Sequence, residues 1–438
     1  MVVYGSRFSG GTLTLPPSKS AAHRALISAA LSGGRSVVFP VDHSKDMEAT
    51  LTAVRALGRH AIFDRDNQCV FFQSGTDSAS SGEIDCLESG STLRFLIPIA
   101  TAFGGTWHFC GSGRLPQRPL GVYEKLLPEH GVTFQTLSPP DSLPLQISGK
   151  LTPGQFEVPG NVSSQFITGL LFALPLLDAD SEIKLTTPLE SSGYVDLTIS
   201  VLHKFGIEIQ QTEGGWKIPG GQQYQSKSYM VERDWSQAAF FLSMAALAPN
   251  GEAITLCGLD PESKQGDRAC VSIFEGFGLK SEWNNRELKI WNPNAQKPFG
   301  GLHGQVIDVS QVPDMVPALA VCAALSEGET RIIGASRLRL KESDRLAAME
   351  HAINRLGGHC TSDEDSLTIQ GVPALTGGRV EGENDHRIVM ALAAAALRSQ
   401  GEIEVTDEQS IQKSYPGFFA DFQQLGGDAR VVDLGRTD

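Results

Sequence analysis

The sequence predicts an α/β fold made of six copies of one supersecondary unit, divided between two domains of three copies each. In each copy a polar phrase precedes an apolar helix, and 40 to 44 residues later a second helix ends at a glycine. The phrases begin at Ser18, Ser89, Ser163, Asp234, Asp314 and Asp385, with intervals of 71, 74, 71, 80 and 71 residues. The glycines are Gly58, Gly131, Gly206, Gly278, Gly357 and Gly426, with intervals of 73, 75, 72, 79 and 69 residues. Each marker alone is an ordinary helix cap, but two independent markers that keep one period indicate a repeated unit.

The two helices of each unit differ in how their apolar residues are arranged. In the first unit we expect a helix over 21–31, a strand over 36–39, a helix over 45–57 and a strand over 61–63. Second helices such as 195–205 are amphipathic, whereas first helices such as 166–174 and 390–397 are apolar on nearly every side. A helix that is apolar all round is buried all round. Each domain should therefore hold three parallel, buried helices inside a shell of sheets and amphipathic helices.

The domain boundary is predicted where the fourth unit begins. A chain of 438 residues exceeds what one core usually supports. We expect one domain over 16–232 and a second over 1–15 and 233–438, with a hinge near 14–18 and 232–234 that includes the phrase at Asp234. The strand 12–15 has no partner in its own unit, so we expect it to cross into the second domain.

Composition limits the classes of function. The net charge of −14 argues against nucleic acid or an anionic membrane as partner. The apolar runs are shorter than a bilayer span, and residues 1–7 lack the apolar core of a secretory signal. Seven scattered cysteines without a Cys-x-x-Cys pair argue against a disulfide framework or zinc site and fit a reducing cytoplasm. Metal-binding and phosphate-loop motifs are missing, so we expect no metal and no cofactor.

Basic residues concentrate at the predicted helix starts. Helix N-termini attract anions, and cations beside them strengthen that attraction. Lys341 and Arg345 are expected on one face of a helix because they are four residues apart. The other basic positions at helix starts or in loops are Lys19, Arg24, Arg94, Arg118, His386, Arg387 and Lys413. If both domains direct these positions at one cleft, they would bind phosphate or carboxylate groups, and their mutual repulsion would favour closure on a ligand.

Acid and base candidates are few. Asp314 follows Pro313 at the start of the fifth unit and could be simply a helix cap. Glu342 lies beside Lys341 and could be simply salt-bridged. Two carboxylates and a lysine among arginines would nevertheless supply proton transfer to a phosphorylated substrate.

At these residues the chain resembles the 5-enolpyruvylshikimate-3-phosphate (EPSP) synthase family over essentially its whole length. The matching phrases are 17–24 (PSKSAAHR), 89–94 (SGSTLR), 118–119 (RP), 163–165 (SSQ), Tyr194, 265–267 (QGD), 313–314 (PD), 341–345 (KESDR), 384–387 (NDHR) and Lys413. The resemblance implies a two-domain inverse α/β barrel of six βαβαββ units that closes over its substrates. It also implies transfer of the enolpyruvyl group of phosphoenolpyruvate to the 5-hydroxyl of shikimate 3-phosphate, with release of phosphate.

The resemblance assigns a role to each matched residue. Shikimate 3-phosphate would be held by Lys19, Ser20, Arg24, Ser163, Ser164, Ser191, Tyr194, Asp314 and Lys341. Phosphoenolpyruvate would be held by Lys19, Gly90, Arg118, Gln165, Arg345, His386, Arg387 and Lys413. The proton carriers would be Asp314, Glu342 and Lys19, and the division of the steps among them is open.

Three departures from the family's pattern leave questions open. Glu88 stands where many relatives carry asparagine, and Phe95 stands where proline is frequent; both border the implied phosphoenolpyruvate pocket, so sensitivity to its analogue glyphosate is open. Arg337 replaces a commonly polar asparagine and either adds a phosphate contact or faces solvent.

Two other functions compete with this one. Enolpyruvyl transfer to UDP-N-acetylglucosamine uses the same fold, but those enzymes usually carry a reactive cysteine shortly before the Arg-Pro that corresponds to Arg118-Pro119. Cys110 lies earlier, at the end of an apolar strand, and is expected to be buried. A non-catalytic repeat scaffold would not need cations at its helix starts. We expect a monomeric cytoplasmic enzyme whose partners are its two small-molecule substrates.

Overall fold

The chain forms two compact units. The computed structural model describes residues 1–4, 7–76 and 79–431. Residues 5–6, 77–78 and 432–438, which fall within the predicted domain ranges, lie outside the described residues. The first domain is Pro17–Glu232 with the short segment Lys264–Gly266. The second domain is Met1–Pro16, Arg233–Ser263 and Asp267–Asp438.

The helices and strands follow one another in a regular order. The chain begins with two strands of the second domain, β1 (Val2–Tyr4) and β2 (Gly11–Thr14). The first domain then contains α1 (Lys19–Leu31), β3 (Ser36–Phe39), α2 (Lys45–Ala56), β4 (Arg59–Asp64), β5 (Cys69–Thr76), β6 (Ser81–Asp85), α3 (Gly90–Phe103), β7 (Thr106–Cys110), α4 (Gly121–Glu129), β8 (Val132–Thr136), β9 (Leu145–Gly149), β10 (Gln155–Val158), α5 (Ser164–Ala173), β11 (Ser181–Leu185), α6 (Ser192–Lys204), β12 (Gln210–Thr212), β13 (Gly215–Ile218) and β14 (Ser228–Met230). The second domain continues with α7 (Trp235–Leu247), β15 (Ile254–Cys257), α8 (Cys270–Phe277), β16 (Lys280–Asn284), β17 (Glu287–Trp291), β18 (Val306–Asp308), α9 (Val316–Ala324), β19 (Glu329–Ile333), α10 (Arg345–Arg355), β20 (His359–Ser362), β21 (Leu367–Gln370), β22 (Gly378–Val380), α11 (His386–Ala395), β23 (Ile403–Val405), α12 (Phe418–Gln424) and β24 (Asp428–Arg430).

In the described part of the chain, six four-stranded sheets repeat one topology. In the second repeat the strand order is β6-β7-β9-β8, where β6 and β7 are parallel and the other two pairs are antiparallel. The first helix connects the parallel strands, and the second helix leads into the antiparallel hairpin. This is the βαβαββ unit, and the predicted fold of six such repeats in an inverse α/β barrel architecture is confirmed.

Three strands complete sheets that lie far away in sequence. β2 pairs in parallel with β15 of the fourth repeat, with Leu13 opposite Leu256. β1 lies between β23 and β24 of the sixth repeat, and β14 pairs in parallel with β3 of the first. As a result, the N-terminal strands belong to the second domain, while the strand before the fourth repeat belongs to the first.

The first helix of each repeat is buried on all sides, as its composition predicts. Every residue of α7, α9 and α11 is buried, and α5 is buried along Phe166–Ala173. The second helices bury one face only, as in α6 with Val195, Leu197 and Val201. Each domain has its own apolar core around its three buried helices. Across the described part of the chain, the helices are too short or too polar to cross a membrane.

Candidate active site

Five of the six polar phrases cap the helix that follows. The side chains of Ser18, Ser89, Ser163, Asp234 and Asp385 each accept a hydrogen bond from a backbone N–H in the first turn. Such a cap satisfies one of the free donors at a helix start and leaves the others exposed to a ligand. Asp314 is different, because it lies inside a 3-10 turn, Pro313–Met315, and Met315 occupies the cap position of α9. Its side chain is therefore available for another purpose.

In the first domain, the start of α3 lies against an arginine. Gly90 faces the Arg118 guanidinium so closely that an added Cβ would be 2.5 Å from Nη1. One turn later, Arg94 Nη1 donates to Gln165 Oε1 at 2.8 Å, and Gln165 Nε2 donates to Ser91 Oγ at 3.0 Å. The first turns of α3 and α5 therefore meet at Gln165, and they place helix N-termini and two arginines together. This group, Gly90, Ser91, Arg94, Arg118 and Gln165, is called the α3 cluster.

A second arginine site lies between α1 and α6. Arg24 is buried, and its guanidinium donates to Thr198 Oγ1, the Ser20 carbonyl and the Tyr194 carbonyl at 2.7 to 3.0 Å. All three acceptors are neutral. Burial lowers the pKa of Arg24 to about 10, although Tyr194 and Tyr229 act in the opposite direction. Burial separates this guanidinium from the water that would stabilise its charge, and a bound anion would stabilise the charge instead.

Lys19 and the predicted serines occupy the neighbouring helix starts. Lys19 Nζ pairs with Asp46 Oδ2 at 2.8 Å, and both side chains are largely buried. Asp46 is in the first turn of α2, where an acidic residue is ordinary, so its sequence position gives no signal of a site. Ser163 caps α5 and Ser164 begins it. Ser191 precedes α6 in the left-handed region, at φ 54°, a strained conformation for serine.

In the second domain, Arg345 gathers three carboxylates. Its Nε donates to Asp385 Oδ2 at 2.8 Å, Nη2 donates to Glu342 Oε2 at 2.9 Å, and Nη1 donates to Asp314 Oδ1 at 2.8 Å. Burial would lower the pKa of Arg345, but these carboxylates outweigh it and raise the pKa. Burial would likewise raise the pKa of Asp385, yet Arg345 and His386 hold it below its usual value. The buried positive charge of Arg345 and the buried negative charge of Asp385 therefore compensate each other.

Asp314 is held by cations from three directions. Besides Arg345, Lys341 Nζ lies 3.3 Å from Oδ1 and Arg387 Nη2 lies 3.4 Å from Oδ2. Arg387 also donates to the Asp314 carbonyl at 3.1 Å. Fifth-repeat and sixth-repeat residues thus meet at one carboxylate. The group Asp314, Lys341, Glu342, Arg345, Asp385 and Arg387 is called the Asp314 cluster.

The predicted helical placement of Lys341 is wrong. Helix α10 begins at Arg345, because Asp344 caps it by accepting from the Ala347 N–H, and Lys341 lies before it in an extended conformation. Lys341 and Arg345 nevertheless reach the same oxygen of Asp314. The segment from Lys341 to Arg345 therefore brings both cations to Asp314 without a shared helix face.

Lys413 and His386 lie beside the start of α11. Lys413 Nζ donates to the Asn384 carbonyl at 2.6 Å. Glu383 and Asn384 both have positive φ, and two consecutive strained residues just before a helix are often part of a site. The ring of His386 is buried, with Nδ1 3.9 Å from Asp385 Oδ1.

The departures from the family pattern have definite positions. The Glu88 carboxylate lies against the backbone of Gly113, in the segment before Arg118. The Phe95 ring is buried, with the Arg24 guanidinium 5.2 Å from its centre. Arg337 donates to the Ser310 carbonyl and is partly buried, so it does not simply face solvent.

The expected burial of Cys110 is wrong, since this residue at the end of β7 is only partly buried. Desolvation, together with Asp85 and Glu83, raises the pKa of Cys110 to about 11, which keeps the thiol protonated and a poor nucleophile. Within residues 1–4, 7–76 and 79–431, no group of three or more His, Cys, Asp or Glu side chains could hold a metal ion.

Comparison with known proteins identifies the family. The family model described as EPSP synthase (3-phosphoshikimate 1-carboxyvinyltransferase) matches residues 4–422. The chain belongs to the EPSP synthase family. It is 44% identical over 419 residues to a 3-phosphoshikimate 1-carboxyvinyltransferase of Clostridium perfringens, covering 95% of this chain and 96% of that protein. A Clostridium acetobutylicum enzyme of the same name is 45% identical over 430 residues, covering 97% of each.

Solved structures agree with the EPSP synthase fold. An EPSP synthase of Acinetobacter baumannii superposes with a TM-score of 0.77 at 25% identity, covering 98% of this chain and 99% of that one. The enolpyruvyl transferase NikO of Streptomyces tendae has a TM-score of 0.78 at 16% identity, covering 98% of each chain, and supports the fold alone. The chain is an enzyme of the EPSP synthase family, so the scaffold alternative is wrong, and transfer to UDP-N-acetylglucosamine is not favoured.

Proposed function

We propose that this enzyme transfers the enolpyruvyl group of phosphoenolpyruvate to the 5-hydroxyl of shikimate 3-phosphate and releases phosphate. The observation that carries the proposal is the Asp314 cluster, in which one carboxylate that caps no helix meets Lys341, Arg345 and Arg387. These are the residues that the family resemblance assigned to proton transfer and anion binding. Family membership supports the same reaction.

The reaction needs an addition and an elimination. In the addition, a proton joins the methylene carbon of phosphoenolpyruvate, the 5-hydroxyl oxygen bonds to the neighbouring carbon, and the hydroxyl proton leaves to a base. In the elimination, the bond from that carbon to the phosphate oxygen breaks, and a proton leaves the methyl group to restore the double bond. Phosphate departs with its negative charge, which arginine side chains can stabilise.

We assign the proton steps to three side chains. Asp314, a carboxylate in contact with Lys341, Arg345 and Arg387, would accept the hydroxyl proton. Glu342, which also accepts from Arg345, and Lys19, which pairs with Asp46, would serve the methylene carbon. All three have charged partners that can compensate a change of charge during the reaction.

The remaining predicted contacts are part of the proposal. Shikimate 3-phosphate would use Lys19, Ser20, Arg24, Ser163, Ser164, Ser191, Tyr194, Asp314 and Lys341. Phosphoenolpyruvate would use Lys19, Gly90, Arg118, Gln165, Arg345, His386, Arg387 and Lys413. Arg24 supports the first set, because its buried charge has neutral acceptors, and the α3 cluster supports the second. We also propose a monomer in the cytoplasm, consistent with seven cysteines that remain thiols.

One assay tests the reaction. Phosphate release is measured with phosphoenolpyruvate and either shikimate 3-phosphate or UDP-N-acetylglucosamine. Release with the first acceptor only is expected; release with the sugar nucleotide only, or with neither, would contradict the proposal.

Closure on ligand, about the proposed hinge near 14–18 and 232–234, has its own measurement. Small-angle scattering should show a smaller radius of gyration when shikimate 3-phosphate is added. An unchanged radius would reject closure without affecting the proposed chemistry.

A further inference from the structure

A buried chain of hydrogen bonds leads from α1 to the start of α3. His23 Nδ1 lies 2.7 Å from Thr50 Oγ1, Thr50 Oγ1 lies 2.7 Å from Thr92 Oγ1, and Thr92 Oγ1 donates to Ser89 Oγ at 2.8 Å. Ser89 is the cap of α3 and also accepts from the Thr92 N–H. All four side chains are buried. The group His23, Thr50, Thr92 and Ser89 is called the α3 relay.

The protons of the α3 relay can be arranged in one direction only. A hydroxyl has one proton to donate, and Thr92 gives its proton to Ser89. Thr50 must therefore donate to Thr92, and His23 must donate from Nδ1 to Thr50. Burial, with Lys19 and Arg24 nearby, keeps the pKa of His23 well below its usual value, so the ring is neutral. Its Nε2 is then a bare acceptor, and among the described residues this buried atom has no hydrogen-bond partner.

A second buried chain leads from the next residue of α1 to α6. Arg24 Nε donates to Thr198 Oγ1 at 2.7 Å, Thr168 Oγ1 lies 2.9 Å from the same oxygen, and Thr198 donates to the Tyr194 carbonyl at 2.8 Å. Because Thr198 donates its only hydroxyl proton to that carbonyl, Thr168 must donate to Thr198 Oγ1. The group Arg24, Thr168, Thr198 and Tyr194 is called the α6 relay.

We propose that Thr50 and Thr198 are positioning residues with separate targets. The α3 relay fixes the start of α3, and with it Gly90 against Arg118, for phosphoenolpyruvate. The α6 relay fixes the Arg24 guanidinium for shikimate 3-phosphate. Consecutive residues of α1, His23 and Arg24, thus support different substrate sites through separate hydrogen-bond chains. The assignment of substrates rests on the proposed function, whereas the mechanical separation of the relays does not.

Isosteric substitutions at the centre of each relay test this proposal. Thr50→Val removes the hydroxyl that accepts from His23 and donates to Thr92. It should raise KM for phosphoenolpyruvate about three- to tenfold, with KM for shikimate 3-phosphate within about twofold of wild type. Thr198→Val should do the reverse. Thr50→Ser and Thr198→Ser keep the hydroxyls and should restore wild-type values. A purely structural loss would lower the active fraction and therefore kcat, so equal shifts of both KM values, or none, would overturn the proposal.

Hydrogen exchange measures the separation without any substrate. Thr50→Val should speed amide exchange over 89–95 and leave 191–198 unchanged, and Thr198→Val should do the opposite; faster exchange in both segments with either variant would overturn the proposal. If the wild-type protein releases no phosphate, the proposed function is wrong. Hydrogen exchange still shows whether the two relays act on separate segments, because it needs no substrate.

Second variants cover the case in which a valine variant does not fold. For the α3 relay, His23→Leu should raise KM for phosphoenolpyruvate and speed exchange over 89–95. His23→Asn, whose amide nitrogen can donate to Thr50, should restore both. For the α6 relay, Thr168→Val replaces Thr198→Val and should raise KM for shikimate 3-phosphate. Wild-type behaviour of His23→Leu or Thr168→Val would count against its relay.

Discussion

Two buried arginines, Arg24 in the first domain and Arg345 in the second, are balanced in opposite ways. In the first domain, Arg24 donates to one hydroxyl and two carbonyl oxygens, which carry no net charge. In the second domain, Arg345 alone contacts three carboxylates. Neutral partners leave positive charge for an anionic ligand, whereas carboxylate partners compensate the charge of the arginine within the protein. We therefore expect Arg24 to keep its charge for an anionic ligand and Arg345 to hold the carboxylates of its own domain in place.

The largest effect should come from removing the carboxylate at the centre of the second domain's cluster. Asp314→Asn keeps the shape but cannot accept a proton, so kcat should fall about 10²- to 10⁴-fold. Calorimetry should show that both substrates still bind. The exposed Glu282→Gln in β16 removes one negative charge elsewhere in that domain and should have wild-type kcat. Unchanged turnover of Asp314→Asn would remove Asp314 from the mechanism.

The next largest effect concerns stability. Arg345→Met leaves Asp385 buried without its main partner, which should cost about 3–5 kcal/mol of unfolding free energy. Arg24→Met removes a buried charge that has neutral partners, so its cost should be only about 1 kcal/mol, although binding of shikimate 3-phosphate should be lost. Urea unfolding of both variants provides the measurement. Equal costs would show that the two arginines are balanced in the same way.

A smaller effect is expected at the start of α3. In Gly90→Ala the new methyl group meets the Arg118 guanidinium, so KM for phosphoenolpyruvate should rise about 10- to 100-fold, equivalent to about 1.4–2.8 kcal/mol. The matched control is Gly121→Ala at the start of α4, where an added Cβ meets nothing within 4 Å. Similar kinetics of the two variants would show that Arg118 does not need its position against Gly90.

The smallest effect is a pH dependence that belongs to the first domain. His23 is neutral in the folded state because burial lowers its pKa well below 6.5, but it gains a proton in the unfolded state below that pH. The unfolded state then binds more protons, so stability should fall as pH drops below about 6.5, by at most about 1.4 kcal/mol per pH unit from this residue. Urea unfolding at pH 7.5 and pH 5 gives the change in unfolding free energy with pH, and this change should be smaller for His23→Asn than for wild type. An identical pH dependence of the unfolding free energy in both proteins would mean that His23 becomes protonated in the folded state.

Local patterns in the sequence predicted the architecture well. The caps at Ser18, Ser89, Ser163, Asp234 and Asp385 and the all-apolar helices can be recognised without tertiary contacts, because capping and helical periodicity act within a few residues. The same local reasoning failed for Lys341, where the cap formed by Asp344 determined the helix start. It also failed for Cys110, which lies at the end of β7 and is only partly buried.

The sequence by itself determined the six repeats, the buried helices and the identity of most polar groups at the helix starts. Only the tertiary structure decided which polar groups meet: Lys19 with Asp46, Arg94 with Gln165, and Arg345 with Asp314 and Asp385, which are 27, 71, 31 and 40 residues apart. The physical reason is range. Caps and amphipathic periods depend on neighbours along the chain, whereas the balance of a buried charge depends on whichever oxygens the packed helices bring within hydrogen-bonding distance.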